Sequence, residues 1–369
     1  MKKIAFFTNS LARGGAERVL SRIIPRLKEN YEIYLILVDG SKIEYECPVE
    51  TINIGRTEKK NRVLYLLDQI ILKRELEKIV KKYNIECVIS FLSIPNLINV
   101  MSKIECKKII SIRGAIDKEL KNGLSGKIKY YMCKSKFRNA DMIICASKKM
   151  RQEMAENWHI DAGKMVTIEN PYDTAEINLL ADGEMDEKEK AFYATHQVVV
   201  GVGRIVKEKG YLYLLDSFAH LLVYHKTAGL VIVGDGGERQ KIEDKIKQLQ
   251  IEKNVLLCGM KKNPYPYIKE ADLFVCASIH ESYCLVVAES LVVGTPVVST
   301  MCTGPIELLD NGRYGLLVEN SENGLCAGIR EMVNTPEKLS EYKNKTKDRR
   351  EFFSIEESMK AWEEIFERC

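Results

Sequence analysis

The chain has 369 residues, 46% hydrophobic and 29% charged, a length and balance that suit two globular domains and exclude a disordered polymer. No apolar run approaches the ~20 residues of a spanning helix, and eleven cysteines without CxxC or zinc spacing argue against a metal finger or disulfide scaffold. The net charge of +4 hides an asymmetry: residues 1–170 carry 32 basic and 20 acidic side chains (+12), and residues 171–369 carry 24 and 32 (−8).

Met1-Lys2-Lys3 followed by Ile4-Ala5-Phe6-Phe7 imitates a signal start. The run breaks at Thr8-Asn9-Ser10, too short for a signal core, and reads as a first strand. Further strands are expected at 33–38, 87–91, 108–112, 142–145 and 165–168. Amphipathic stretches at 16–28, 64–82 and 147–157 separate them. This alternation predicts βαβ units and a parallel sheet. Residues 118–138 hold seven basic side chains against one acidic, mixed with Ile128, Tyr130, Tyr131 and Phe137. Such a basic amphipathic segment fits an anionic lipid surface, with Lys127, Lys129, Lys134 and Lys136 as the membrane-facing candidates. A solvated helix face is the bland alternative. Nucleic acid is not expected, because no binding motif accompanies the charge.

Around Asn170-Pro171-Tyr172 the pattern loosens, and the polar, acidic stretch 173–196 reads as a linker and domain entry. A second alternation starts at Val198. Strands are expected at 198–203, 230–233, 255–258, 273–276 and 296–299, with helices at 211–222, 238–250 and 285–293. Residues 354–368 close the chain as an amphipathic helix opened by Ser354-Ile355-Glu356-Glu357. The expected architecture is α/β: two doubly wound, Rossmann-like domains facing each other across a cleft. Their bounds are 1–172 and 173–350, with 351–369 as the closing helix. Cysteines in apolar runs (Cys87, Cys145, Cys258, Cys276) act as small hydrophobes, and a reduced, cytoplasmic setting is expected.

Chemistry concentrates after the strands of the second half, where open α/β sheets bind ligands. Arg204 and Lys209 flank one loop; a guanidinium fork and an ammonium suit a diphosphate. Gly234-Asp235-Gly236-Gly237 forms another loop, Glu281 lies in a third, and residues 300–305 form a fourth. The helix opening at Leu285 offers free N–H groups for phosphate. Glu289, one turn in, sits among apolar neighbours, where a carboxylate needs partners; ribose hydroxyls would serve.

Gly14-Gly15-Ala16-Glu17-Arg18, Gly203-Arg204 with Lys209-Gly210, Gly234-Asp235-Gly236, and Glu281 through Glu289 with Gly294-Thr295-Pro296-Val297-Val298 resemble the family 4 retaining glycosyltransferases of GT-B fold, of the bacterial polysaccharide and glycan-assembly type. Thr303-Gly304-Pro305-Ile306-Glu307 continues the likeness, which spans essentially the whole chain and is densest from 201 to 318.

The resemblance implies transfer from a nucleotide diphosphate sugar, with uridine diphosphate the family-weighted donor, to a saccharide acceptor. By the same resemblance Glu281 contacts the donor sugar, Glu289 the ribose, and Arg204 with Lys209 the diphosphate. Gly15 lets the backbone approach the phosphates. The closing helix resembles the segment that crosses back to the first domain.

Two departures matter. Many members carry a histidine where this chain has Arg113, which binds a hydroxyl or phosphate but cannot shuttle a proton. Ser282 and Cys284 stand where glycine is common, although the backbone N–H groups of Cys284 and Leu285 remain for the donor. His280 adjoins Glu281 and is a possible sugar contact.

No cofactor or metal is expected: there is no DxD triplet, and the cations can carry the leaving charge. The basic first half suggests a lipid-linked acceptor and a peripheral place on the inner face of the cell membrane. Three other readings compete. A sugar-nucleotide epimerase of the same fold would need no acceptor. An NAD-dependent dehydrogenase would need a Gly-x-Gly-x-x-Gly loop, but residues 9–15 read Asn-Ser-Leu-Ala-Arg-Gly-Gly. A catalytically silent, membrane-associated sugar-binding subunit would have no need of Glu281, Glu289 and Arg204.

Overall fold

A computed structural model describes residues 1–12, 14–41, 43–55, 62–114 and 123–368. It divides into two compact units, one of Met1–Pro171 with Glu356–Cys369 and one of Tyr172–Ile355.

The first unit contains β1 (Lys3–Thr8), α1 (Gly15–Leu27), β2 (Glu32–Leu37), β3 (Glu50–Asn53), α2 (Arg62–Tyr83), β4 (Cys87–Phe91), α3 (Ser93–Met101), β5 (Lys107–Ile112), α4 (Gly123–Lys136), β6 (Met142–Cys145), α5 (Lys148–Trp158) and β7 (Met165–Thr167). Its seven parallel strands run β3-β2-β1-β4-β5-β6-β7. The strand order reverses between β1 and β4, which marks a doubly wound sheet. β4 is buried along its whole length, as expected of a strand covered on both faces.

The second unit begins with α6 (Thr174–Ala181) and α7 (Glu187–Thr195). It continues with β8 (Gln197–Val202), α8 (Tyr211–Leu222), β9 (Ala228–Val233), α9 (Arg239–Leu249), β10 (Val255–Gly259), α10 (Tyr265–Lys269), β11 (Leu273–Cys276) and α11 (Leu285–Val293). β12 (Val297–Thr300), α12 (Thr303–Leu308), β13 (Leu316–Val318), α13 (Glu322–Asn334) and α14 (Pro336–Arg350) complete it. Its parallel order is β10-β9-β8-β11-β12-β13, with the reversal between β8 and β11. Leu214, Phe218, Leu230, Leu273 and Ile329 are among the core residues around this sheet.

The last helix, α15 (Ile355–Glu367), packs in the first unit. Its Trp362 and Phe366 are fully buried against Phe6, with ring centroids 6.1 and 6.3 Å away. Trp362 also stacks on Phe91 at 6.2 Å.

Two sequence readings need correction. The stretch read as a linker forms α6 and α7. Asp173 caps the first, accepting from the Glu176 N–H at 2.8 Å. At the second, the Glu189 carboxylate accepts from the Asp186 N–H at 3.1 Å. These caps rescue segments whose apolar periodicity is weak. Second, the edge strands β3 and β13 were not expected: Glu-Thr-Ile-Asn is too polar, and Leu-Leu-Val too short, to register as a strand. The basic segment forms a helix from Gly123 to Lys136, and 115–122 lies outside the described residues.

Candidate active site

The reversal in the second sheet places the ends of β8 and β11 side by side, so the loops that follow them meet. After β8 the chain passes Gly203 and the exposed Arg204. The Arg204 guanidinium makes no side-chain hydrogen bond or ion pair among the described residues. A one-turn 3-10 helix, Lys207–Lys209, then ends at Gly210, whose φ of +65° is left-handed. A Cβ there would lie 2.0 Å from the Ala277 carbonyl oxygen, so only glycine lets this loop reach the β11 loop. The two backbones are joined where the Ile279 N–H donates to the Glu208 carbonyl at 2.8 Å. Gly234 makes the same kind of approach from β9: a Cβ would lie 1.9 Å from the Gly203 carbonyl oxygen.

This closeness brings Lys209 Nζ to 2.5 Å from Glu281 Oε2, with both side chains about four-fifths buried (23% and 18% exposed). Burial disfavours the Lys209 ammonium, but the Glu281 carboxylate outweighs it and raises the lysine pKa above its ordinary value. The β11 loop is fastened from neighbouring elements as well. Thr300 Oγ1 donates to the Ser278 carbonyl at 2.6 Å and Asn320 Nδ2 to the Ile279 carbonyl at 2.7 Å. The Gly304 N–H donates to the Glu281 carbonyl at 3.2 Å.

Glu289 is fully buried, one turn into α11. Its partner was not foreseen: the Tyr265 hydroxyl at the start of α10 donates to Glu289 Oε1 at 3.2 Å. The run Asn263-Pro264-Tyr265-Pro266-Tyr267 was the available signal, because prolines frame a short turn and fix where its tyrosines point. Cys284, at the N-cap of α11, is buried with φ +69°, and Leu285 opens the helix half-exposed. A small cavity here is lined by Val202, Lys209, Cys276, Ser278, Cys284 and Val286. His280 is exposed beside Glu281.

Arg204, Lys209, Gly234, Glu281, Cys284, Leu285 and Glu289 thus gather at one edge of the second sheet. Gly15 and Arg113 belong to the first unit. Gly15 is exposed and opens α1. Arg113, at the end of β5, donates from Nε to Ser111 Oγ at 2.9 Å. From Nη1 it donates to the Ile168 carbonyl and to Asn170 Oδ1, both at 3.0 Å. Its guanidinium also lies 5.7 Å from the Phe91 ring centre and 5.6 Å from that of Trp362. Much of a fork expected to meet sugar or acceptor therefore clamps its own domain. On α4, Lys127 and Lys136 are exposed and Lys129 and Lys134 half-buried, with Ile128 and Tyr131 53% and 68% exposed among them. Among the described residues no cluster of three or more His, Cys, Asp or Glu is arranged for a metal, and no helix is long and apolar enough to cross a membrane.

Comparisons with known proteins show the family and the fold. Residues 13–176 match the family model for Glycosyltransferase Family 4, and residues 182–349 match that for Glycosyl transferases group 1. The chain is 30% identical, over 96% of its own length and 96% of the relative's, to the N-acetylgalactosamine-N,N'-diacetylbacillosaminyl-diphospho-undecaprenol 4-alpha-N-acetylgalactosaminyltransferase of Campylobacter jejuni. It is 29% identical, over 54% of this chain and 56% of the relative, to the lipopolysaccharide core biosynthesis glycosyltransferase LpsE of Rhizobium meliloti. The Anabaena protein HepE, solved in complex with UDP, superposes with a TM-score of 0.79 over 100% of both chains at 17% identity. The chain belongs to the family 4 glycosyltransferases of GT-B fold.

Proposed function

We propose that this glycosyltransferase moves a hexosyl or N-acetylhexosaminyl group from a uridine diphosphate sugar to a lipid-linked saccharide, with retention at the anomeric carbon, in cell-surface polysaccharide or glycan assembly. The observation that carries the reading is the Lys209–Glu281 pair beside the exposed Arg204, at the switch point of the second sheet. Two relatives support the finer terms: the Campylobacter enzyme is named for an undecaprenol-diphosphate-linked substrate, and HepE was solved with UDP.

In this reading the donor diphosphate lies against Arg204, Lys209 and the backbone N–H groups of Cys284 and Leu285. As the C1–O bond breaks, negative charge builds on the leaving phosphate, and these fixed cations and dipoles stabilise it. Glu281 fixes the Lys209 ammonium and reaches the sugar; Glu289, braced by Tyr265, accepts from ribose. The acceptor hydroxyl attacks from the leaving-group face, and the departing phosphate oxygen takes its proton. No metal step is required in this scheme. The protein works at the inner face of the membrane, docked through the lysines and the exposed Ile128 and Tyr131 of α4.

The test is direct. The purified protein is incubated with a panel of nucleotide sugars and a polyprenyl-diphosphate-linked saccharide, with and without a chelator. An elongated acceptor carrying the donor's anomeric configuration is expected, at a rate the chelator leaves unchanged. A converted nucleotide sugar with an unchanged acceptor would identify an epimerase and overturn the reading.

A further inference from the structure

Beside the Lys209–Glu281 pair lie two thiols that glycosyl transfer does not use. Cys276 ends β11 and Cys284 caps α11, so they bracket the loop that carries Ser278, His280 and Glu281. Their sulfurs are 3.5 Å apart, and both residues are buried. Cys284 holds its left-handed backbone without a glycine's freedom, at a conformational cost. Both sulfur-bearing residues line the cavity that also contains Lys209.

We propose that Cys276 and Cys284 form an oxidisable dithiol whose closure to a disulfide disables the loop that holds Glu281. The effect on the ligand rests on the nucleotide-sugar reading above; the disulfide itself does not. The oxidant is hydrogen peroxide. The Cys276 thiolate attacks a peroxide oxygen, the O–O bond breaks, and a sulfenic acid forms as hydroxide leaves and is protonated to water. The Cys284 sulfur then attacks the Cys276 sulfur, losing its proton; the S–O bond breaks and a second water departs. The two thiols lose two electrons and the peroxide gains them.

The surroundings suit this order. The sulfur–sulfur hydrogen bond, with Cys284 as its donor and with help from Lys209, outweighs burial and holds Cys276 below the ordinary thiol range. The same contact pushes the Cys284 thiol up. One sulfur is thus prepared as nucleophile and the other as the resolving thiol. A disulfide is about 2.05 Å long, so the sulfurs must approach by roughly 1.5 Å. That movement draws the first turn of α11 towards β11 and alters the cavity that Lys209 shares. Thiol reductants reverse it.

The experiment uses the full chain, first reduced and then treated with hydrogen peroxide. Remaining thiols are alkylated and the peptides mapped by mass spectrometry, while UDP affinity is measured by calorimetry. A peptide pair linked through Cys276 and Cys284 is expected, with UDP bound at least ~10-fold more weakly and affinity restored by dithiothreitol. The affinity of Cys276→Ala for UDP, whatever its starting value, should not change on peroxide treatment. Recovery of both cysteines alkylated, or linked elsewhere, overturns the proposal. A linked pair with unchanged UDP affinity overturns it too. If Cys276→Ala does not fold, the wild-type map and affinities still decide. Reduced protein that binds no nucleotide sugar counts against the donor reading instead, and the peptide map alone then judges the disulfide.

Discussion

Lys209 Nζ and Glu281 Oε2 meet at 2.5 Å although 72 positions separate them in the chain. The contact exists because Gly210 permits the β8 loop to touch the backbone at Ala277. In the proposed function it joins the residue assigned to the diphosphate to the residue assigned to the sugar. Lys209→Met should therefore weaken UDP binding by about ten- to a hundredfold, the worth of one hydrogen bond to a charged group. The sign of the pH response follows from the raised Lys209 pKa. A lysine raised on folding contributes stability that is fully present below its unfolded value of about 10.4 and lost as pH climbs through the folded one. The Tm difference between wild type and Lys209→Met should thus stay constant from about pH 7 to about pH 9 and shrink only in stronger alkali. A difference that changes near neutrality would contradict the assignment.

Glu289 and Tyr265 make a separate prediction. Tyr265→Phe leaves a fully buried carboxylate one donor short, which costs about 1–3 kcal/mol in urea unfolding. It should also raise the Kd for UDP, because ribose would meet a less firmly held acceptor. Glu289→Ala should abolish measurable UDP binding. Retained affinity in Glu289→Ala would remove it from the site.

Arg204 should separate binding from stability. It is exposed and makes no side-chain bond among the described residues, so Arg204→Ala should shift unfolding by no more than about 0.5 kcal/mol. Donor affinity should nevertheless fall by tenfold or more. Calorimetry and thermal melts on the same preparation test both halves.

For Arg113 the expectation is the opposite. Arg113→Ala removes three hydrogen bonds and a cation from two aromatic faces. It should destabilise the first unit by about 2 kcal/mol or more. Arg113→His, which places there the residue that the resemblance led us to expect, should not recover that loss, because imidazole cannot span Ser111, Ile168 and Asn170. Full stability in Arg113→His would refute the clamp.

Charge reversal at Lys127, Lys129, Lys134 and Lys136 should release the protein from vesicles that contain anionic lipid. Each basic side chain near such a surface is worth about 1 kcal/mol. Ile128→Ser should weaken the same binding without altering activity on a water-soluble acceptor. Sedimentation with vesicles at physiological salt is the readout, and equal pelleting of all variants would exclude α4 as the docking face.

The sequence made the βαβ alternation legible because strands such as β4 are buried on both faces and read as unbroken apolar runs. Arg204, Gly234 and Glu281 were noticed for a related reason: they stand in the loops that follow such runs. Three features stayed hidden. Helices α6 and α7 depend on caps at their first turns rather than on periodicity. The brace from Tyr265 to Glu289 is a long-range contact that depends on how α10 lies beside α11. The commitment of Arg113 to its own domain was equally invisible, since besides the nearby Ser111 its partners are groups at 168 and 170, far along the chain.

The aromatic group of Phe6, Phe91, Trp362 and Phe366 carries a consequence for synthesis. The first unit cannot complete its core until α15 has been made, after the whole of the second unit. On the ribosome the early strands must wait with the Phe6 and Phe91 rings uncovered, while the second unit can fold undisturbed. Truncation within α15 should therefore yield a chain whose second half is native and whose first half is prone to aggregate, a pattern opposite to that of most proteins built from the N-terminus onward.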